Sequence, residues 1–488
     1  MNIFQLVLKQ MRQRALGTWL TLLSVTLGVA LAITILVLYR EAGGLFGQTD
    51  YGYDVLVGKE GSGTQLVMNT VYHLDASGGN IPYSMYTRML DPDLGKPPGQ
   101  KRRVRSLFGG GGPTTGPTNY FSYAKIAIPF TVGDSYQGKY RIIGTTTNLF
   151  GIDDTTGQPL DEGHTMYVRP GKDGEPGQKY EFAEGQVFHP HRFEAVIGSE
   201  VARLSDLKMG SQFQATHGVV ASANPDIHPE KWVVTGVLKP THTANDRCVF
   251  IPILSSYTVE DHALGLKTQW ILQHHGEKPP ADADPDEVHS YKMLPNGDFE
   301  LFVPHEYWEV SAIAVKGRSS ISAEQLIYAL NNSNEVMAVN PASVMREFFS
   351  TFLKGPTLVL LAVAILVTVV AAVGILVSIY NSVSARLREI AILRALGATR
   401  NRVLSMICLE SMFIGIAGGL LGLLVGHGLA GVSSHYFNEY VGEGIRWATI
   451  GGIEWAYIAG VVVVALLAGV IPAAKAYRTP VATNLVAG

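Results

Sequence analysis

Along most of the chain apolar and polar residues are interleaved. Four stretches break that pattern by staying apolar for about 20 residues, the length that crosses a bilayer's hydrocarbon core. They are WLTLLSVTLGVALAITILVLY at 19–39, GPTLVLLAVAILVTVVAAVGILVSIY at 355–380, LSMICLESMFIGIAGGLLGLLVGHG at 404–428, and a run over 456–475. The second carries no charge and is the least ambiguous, whereas the third contains one carboxylate, Glu410. A cleavable signal peptide is the alternative for the first, because basic residues precede it and small residues fill its middle. Its apolar length exceeds a usual signal core, and the charge pattern around the spans requires that it be retained.

That charge pattern sets an expected topology, since cytoplasmic flanks collect Lys and Arg. Lys9, Arg12 and Arg14 precede the first span, Arg386, Arg388, Arg394, Arg400 and Arg402 lie between the second and third, and Lys475 and Arg478 follow the fourth. The 429–455 loop instead has Glu439, Glu443 and Glu454 against Arg446. The prediction is a multi-pass protein of a cell membrane, the bacterial inner membrane by class, with both termini cytoplasmic. In order it has an amphipathic segment at 1–18, the first span, an extracytoplasmic domain at 40–354, the second span, a cytoplasmic segment at 381–403, the third span, a short outer loop, the fourth span and a tail at 476–488. Trp19, Tyr39, Tyr380, Trp447, Trp455 and Tyr457 fall near the predicted boundaries, where amphipathic rings are favoured.

Between the first two spans the pattern turns to short β-like runs, namely FSYAKIAIPFTV, KYRIIGTT, KWVVTGVL, RCVFIPIL and EVSAIAV, bounded by Gly, Pro or Asp. SAEQLIYALNN at 322–332 predicts a helix with Ser322 as cap and Gln325 three residues on. ASVMREFFSTFLK predicts another that leads into the second span, with Gly355 and Pro356 as a candidate break. The expected fold class is therefore an α+β membrane protein, with one plus three transmembrane helices and a large mixed α/β outer domain. Residues 92–119 read as a long loop whose Lys101, Arg102, Arg103 and Arg105 form either a solvated face or a contact for anionic headgroups.

Composition narrows the function classes. A hydrophobic fraction of 47% exceeds soluble expectation only mildly, while 53 Gly and 24 Pro fit many loops and close helix contacts. A net charge of -3 argues against a nucleic-acid partner. Cys248 in polar surroundings and Cys408 in an apolar run make no disulfide framework. GDSYQGKY at 133–140 is close to the phosphate loop G-x-x-x-x-G-K-[ST], yet Tyr140 lacks the small hydroxyl side chain needed at Mg²⁺, and a strand pattern follows where a helix should receive the phosphates. No ATP site is expected in this chain, nor any hydrolase nucleophile motif. The segment 274–289, HHGEKPPADADPDEVH, offers His274, His275 and His289 as weak candidates for a metal such as Zn²⁺, against the alternative of a solvated loop. His189, His191 and His217 are weaker still.

Within the third span, Glu410 either faces protein or reaches the interface. Gly415 and Gly419 are four apart, as are Gly418, Gly422 and Gly426, giving two small-residue ridges for close helix packing, either within the chain or against a second copy. Before that span, Ile390, Leu393 and Leu396 follow helical spacing while Arg388, Glu389 and Arg394 point elsewhere. Gly397 suits a left-handed helix end and Thr399 a new cap, so a helix, a sharp turn and the next helix would present a charged surface. A membrane-surface linker is the alternative.

Here the sequence resembles the FtsX-like/MacB-type permeases of ABC transporters. The resemblance rests on Glu389, Ile390, Leu393, Arg394, Ala395, Gly397 and Ala398, then Glu410 with Gly418, Gly419 and Gly422. It extends to Pro472, Ala473, Ala476, Arg478 and Pro480 at the end and to the basic entry LKQMRQRALGTWLTLLSVTLGVA at the start. It implies a permease without a fused ATPase domain and an outer domain resembling the MacB periplasmic core. It also implies a homodimer bound to two copies of an ATPase that holds ATP and Mg²⁺. Arg388, Glu389, Ile390, Leu393, Arg394, Gly397, Ala398, Thr399 and Arg400 would then form the coupling segment. The expected function is non-catalytic transmission of ATP-driven motion for export or extraction of a lipid, lipoprotein, peptide or similar amphipathic molecule, with membrane lipids and an outer adaptor or substrate protein as further partners. The alternatives are regulation of an outer partner such as a cell-wall hydrolase, and a metal-binding receptor.

Overall fold

A computed structural model describes residues 7, 9, 11–12, 15–46, 51–74, 76–90, 119–169, 177–218, 226–259, 290–395, 397–441 and 447–478. Its contacts divide the chain into a membrane unit (Met1–Phe46, Phe349–Tyr440 and Gly444–Gly488) and a β unit (Gly47–Phe348 with Val441–Glu443).

In the membrane unit the four apolar runs form the helices Ala15–Phe46, Lys354–Ala385, Arg400–Val441 and Gly452–Arg478, each long and apolar enough to cross a membrane. They share one core, in which Val25, Val29 and Ile33 of the first helix meet Ala371 and Ile375 of the second, Ile407 and Ile414 of the third, and Ile458, Val461 and Ala465 of the fourth. The helices outrun the apolar runs because hydropathy marks the bilayer crossing and not where hydrogen bonding stops. The expected loop at 429–455 is accordingly helical as far as Val441, and helix resumes at Gly452. No break occurs at Gly355-Pro356. Phe349–Leu353 is a π-helical turn, and Pro356 lies in the first turn of the following helix, where its missing N–H costs little.

The β unit contains, in chain order, β1 Val55–Gly58, β2 Ile81–Pro82, β3 Ala124–Tyr136, β4 Tyr140–Thr145, β5 Phe182–Gly185, β6 Glu194–Ile197, β7 Gln212–His217, β8 Ile227–Leu238, β9 Cys248–Pro252, β10 Tyr291–Met293, β11 Phe299–Leu301, β12 Glu309–Val310, β13 Ala312–Gly317 and β14 Met337–Val339. β3 is long enough to serve two layers. Its first half pairs with β13, extending an antiparallel layer in the order β14-β1-β13-β3. The helix Ser320–Asn331 packs Ala323, Leu326 and Leu330 into the same core as Val55, Val57, Ile313 and Val315 of that layer. Ser319, in extended conformation, caps this helix by accepting a hydrogen bond from the Ser322 N–H, so the expected cap at Ser322 is corrected to a position three residues earlier.

The second half of β3 pairs with β4 on one edge and β7 on the other, and the pairings β4-β9, β9-β6, β6-β8 and β8-β7 close a ring of six strands. Burial alternates residue by residue along β8, which places His228, Glu230, Trp232 and Val234 on the buried face. Trp232 is fully buried, with its indole N–H donating to Ser255 Oγ at 3.1 Å. GDSYQGKY forms the β3-β4 hairpin, with Gln137 at φ 56 and Gly138 at φ 64. That is the primed turn which joins twisted strands, and no helix N-terminus is present there to receive phosphate.

Candidate functional site

The segment between the second and third membrane helices is built by three local devices. The second helix ends at Ala385, Arg386 leaves helical geometry, and a nine-residue helix, Leu387–Ala395, follows. Gly397 then takes φ 101, a conformation that side chains resist, and its N–H donates to the Arg394 carbonyl at 3.1 Å. Thr399 restarts the chain as a helix, its Oγ1 accepting from the Arg402 N–H at 3.3 Å. The short helix is two-faced. Ile390 is buried in the four-helix core and Ala391 is buried too, whereas Arg388, Ile392 and Ala395 are exposed. Thr399 and Arg400 are exposed too, and the Arg400 guanidinium sits 5.5 Å above the Tyr477 ring. Arg394 and Ala398 are half-buried, while the side chains of Glu389 and Leu393 lie outside the described residues.

The glycine ridges of the third helix face two different neighbours in this chain. A Cβ placed on Gly415 would lie 2.8 Å from Ala465 Cβ, and one on Gly419 2.9 Å from Ile458 Cγ2, both on the fourth helix. On the other ridge a Cβ on Gly418 would meet Val25 Cγ1 at 2.6 Å, one on Gly422 Val29 Cβ at 2.5 Å, and one on Gly426 Ile33 Cβ at 2.8 Å, all on the first helix. The third helix is therefore wedged between the first and fourth at backbone-limited distance. Glu410 is half-buried on the same helix.

A polar cluster in the membrane unit escaped the sequence reading. Glu454, in the first turn of the fourth helix and 1% exposed, accepts from Arg40 Nη1 at 2.7 Å and pairs with His427 Nε2 at 2.8 Å. His427 Nδ1 faces the Trp447 carbonyl, and Arg40 also donates to the Thr449 carbonyl at 2.8 Å. One carboxylate thus joins the first, third and fourth helices, and the acid in a first helical turn is favoured by the helix dipole. Sequence patterning places Glu454 in the 429–455 loop and Arg40 at the start of the outer domain. His427, an ionisable residue inside an apolar run, was the available sign. Near the start of the fourth helix Tyr457 hydrogen-bonds Thr368 of the second at 2.9 Å, and at its other end Lys475 packs over the Tyr380 ring at 4.0 Å.

Most of these features fall within a family match. The FtsX-like permease C-terminal model matches residues 361–481, which covers the short helix, the glycine ridges and the His427–Glu454 pair, while Arg40 lies outside it. Residues 361–481 are an FtsX-like permease domain. The chain is similar to an uncharacterized ABC transporter permease of Methanocaldococcus jannaschii, 32% identical over 137 residues, 27% of this chain and 34% of that protein. It is also similar to the macrolide export ATP-binding/permease protein MacB of Brucella abortus, 29% identical over 190 residues, 38% of this chain and 28% of that protein. A third relative is the ABC transporter permease YtrF of Bacillus subtilis, 30% identical over 153 residues, 28% of this chain and 33% of that protein. The chain thus spans about a third or less of the length of these relatives. The FtsX-like domain together with four apolar helices makes the chain a membrane protein.

The histidine-rich candidates His274, His275 and His289, and the basic cluster Lys101, Arg102, Arg103 and Arg105, lie outside the described residues. His189 and His191 form a partial polar group, with His189 Nδ1 3.8 Å from Asp298 Oδ1, which Arg192 Nε already engages at 2.7 Å.

Proposed function

We propose that the chain is the permease subunit of an ABC transporter whose ATP and Mg²⁺ are bound by a separate ATPase, and that the Leu387–Arg400 segment is the surface on which that ATPase docks. The observation that carries this reading is the two-faced helix Leu387–Ala395, whose Ile390 is anchored in the helix core and whose Ala391 is buried, while Arg388 and the apolar Ile392 are exposed beside a fixed turn. Such a surface transmits force because its inner face moves with the second and third membrane helices. A loose surface linker would have no reason to bury one face and pin both ends. The topology in this reading has both termini and the docking helix in the cytoplasm and the β unit outside.

The working assembly is a homodimer in a bacterial inner membrane. The second helix supports it, since only 22% of its apolar window is buried within the chain against 50% for the first and third, leaving a face for lipid or a second copy. ATP-driven movement of the membrane helices would be passed to the β unit to export or extract a lipid, lipoprotein, peptide or similar amphipathic molecule, with an outer adaptor as a further partner. Copurification with the cognate ATPase tests this. Binding and stimulated ATP turnover are expected for the native chain and are expected to be lost in Arg394→Glu and Glu389→Lys. Unchanged association and turnover in both reversals would remove the docking assignment.

A further inference from the structure

We infer that the β unit holds a transition-metal dication, of which Zn²⁺ fits best, on Asp134, His217 and His228. These three residues come from three strands, β3, β7 and β8, and their ligand atoms all lie within 4.8 Å of one another. Asp134 Oδ1 is 3.3 Å from His228 Nε2 and 3.8 Å from His217 Nδ1. In a tetrahedral site with bonds of 2.0–2.1 Å, neighbouring ligand atoms are separated by about 3.3–3.4 Å. The Asp134–His228 pair already has that spacing, while His217 Nδ1 lies about 0.5 Å beyond it from Asp134. The His217 side chain is 54% exposed, while that of His228 is at 0% and that of Asp134 at 9%.

The strands are shaped to bring the three together. Asp134 lies in a β-bulge, where the β3-β4 register shifts between Val132 and Ser135, and a bulge re-aims the side chain it carries. A second shift falls between Gln214 and Thr216 in β7, next to His217. Among the described residues β3 pairs directly with β7 through Asp134 with His217 and Ser135 with Thr216, so the three residues stand at a two-pair seam of the six-stranded ring, as short as that of β6 with β9. A metal there would tie the seam shut.

The donor set, two imidazoles and a carboxylate, is that of zinc and its neighbours and not of Mg²⁺ or Ca²⁺, which take oxygen. Three protein ligands leave a fourth position. Asp134 and His217 also line a cavity of ≈ 330 Å³ whose walls include Asn80, Ser256, Glu309 and Ser311, so water or an oxygen-bearing ligand can reach that position. Without a metal the same contacts are an Asp–His pair with a second His at its rim.

Full-length protein in detergent, its affinity tag removed and metal stripped by chelator, is titrated with ZnCl₂ in a calorimeter. We expect one site per chain attributable to this cluster, with affinity reduced more than about 100-fold in His217→Ala, since even an outer-shell change costs 10–100-fold. Mg²⁺ and Ca²⁺ should give no binding, and Co²⁺ should give tetrahedral visible absorption that His217→Ala abolishes. The triple variant His274→Ala/His275→Ala/His289→Ala should keep the site. Asp134→Asn is the second ligand test, but His217→Ala decides if that variant misfolds, because the exposed ring can be removed without opening the core. Absence of Zn²⁺ binding, or binding kept in His217→Ala and lost in the triple variant, would overturn the inference.

Discussion

The membrane unit and the β unit solve the problem of bringing distant residues together in opposite ways. In the membrane unit, glycines at a spacing of four strip side chains from one helix until backbone meets backbone, and a single carboxylate, Glu454, then joins three helices. In the β unit, one long strand, β3, is shared between an antiparallel layer and a closed ring, and a bulge in it turns Asp134 toward two histidines. The first device repeats locally in sequence and tolerates little volume. The second depends on register between strands separated by tens of residues and tolerates little slippage.

The largest contrast should appear on changing side-chain volume at one closely packed position of each unit. Trp232→Ala empties the ring core and should cost about 3–5 kcal/mol, read as loss of the β unit's cooperative melting transition. In the membrane unit the corresponding change is an addition. Gly422→Leu drives a side chain into Val29 and toward the Thr26 carbonyl, 3.0 Å from the first added carbon, and should cost about 2–3 kcal/mol in a detergent unfolding assay. Gly428, on the same helix with nothing within 4 Å, is the control: Gly428→Ala should stabilise by up to about 1 kcal/mol through helix propensity. Equal effects at Gly422 and Gly428 would mean that the close approach is not what holds the helices.

Glu454→Gln should be next, at about 1–3 kcal/mol, because it leaves Arg40 and His427 without their shared charge while Arg40, 33% exposed, recovers part of its hydration. The smallest effect is a slope with pH in the β unit. Burial lowers the buried His73 from its ordinary 6.5 to about 4. The unfolded chain therefore takes up this proton first. Its contribution to stability is intact above about 6.5 and is lost as pH falls from there toward about 4, at no more than about 1.4 kcal/mol per pH unit. His73→Asn, a residue that tolerates the local φ of 56, should flatten urea-unfolding stability over that window. An unchanged slope would assign the acid sensitivity elsewhere.

The same contrast explains what could be read without coordinates. The four spans, the left-handed Gly397, the Thr399 cap and the two glycine ridges each depend on residues within a few positions of one another, so periodicity and capping chemistry are enough to find them. The strands KYRIIGTT and KWVVTGVL were legible for the same reason. Ser319 was missed as a cap because Ser322 offers the same chemistry three residues later, and only the extended backbone at 319 separates them. Helix Arg400–Val441 outruns the 404–428 span because its end, rich in Ser, His and Asn, is polar but still helical. The Arg40–Glu454–His427 cluster and the Asp134–His217–His228 cluster were out of reach, since neither has a sequence spacing that predicts contact.

A photo-reactive amino acid at Ile392 tests most directly the proposed docking of an ATPase on the helix Leu387–Ala395. Ile392 is an apolar side chain, 43% exposed, on the face turned away from the core. Illumination of reconstituted permease and cognate ATPase should yield an adduct of the two chains, identified by mass spectrometry and diminished by Arg394→Glu. Adducts only with lipid or with the permease itself, from a complex that turns over ATP normally, would contradict it.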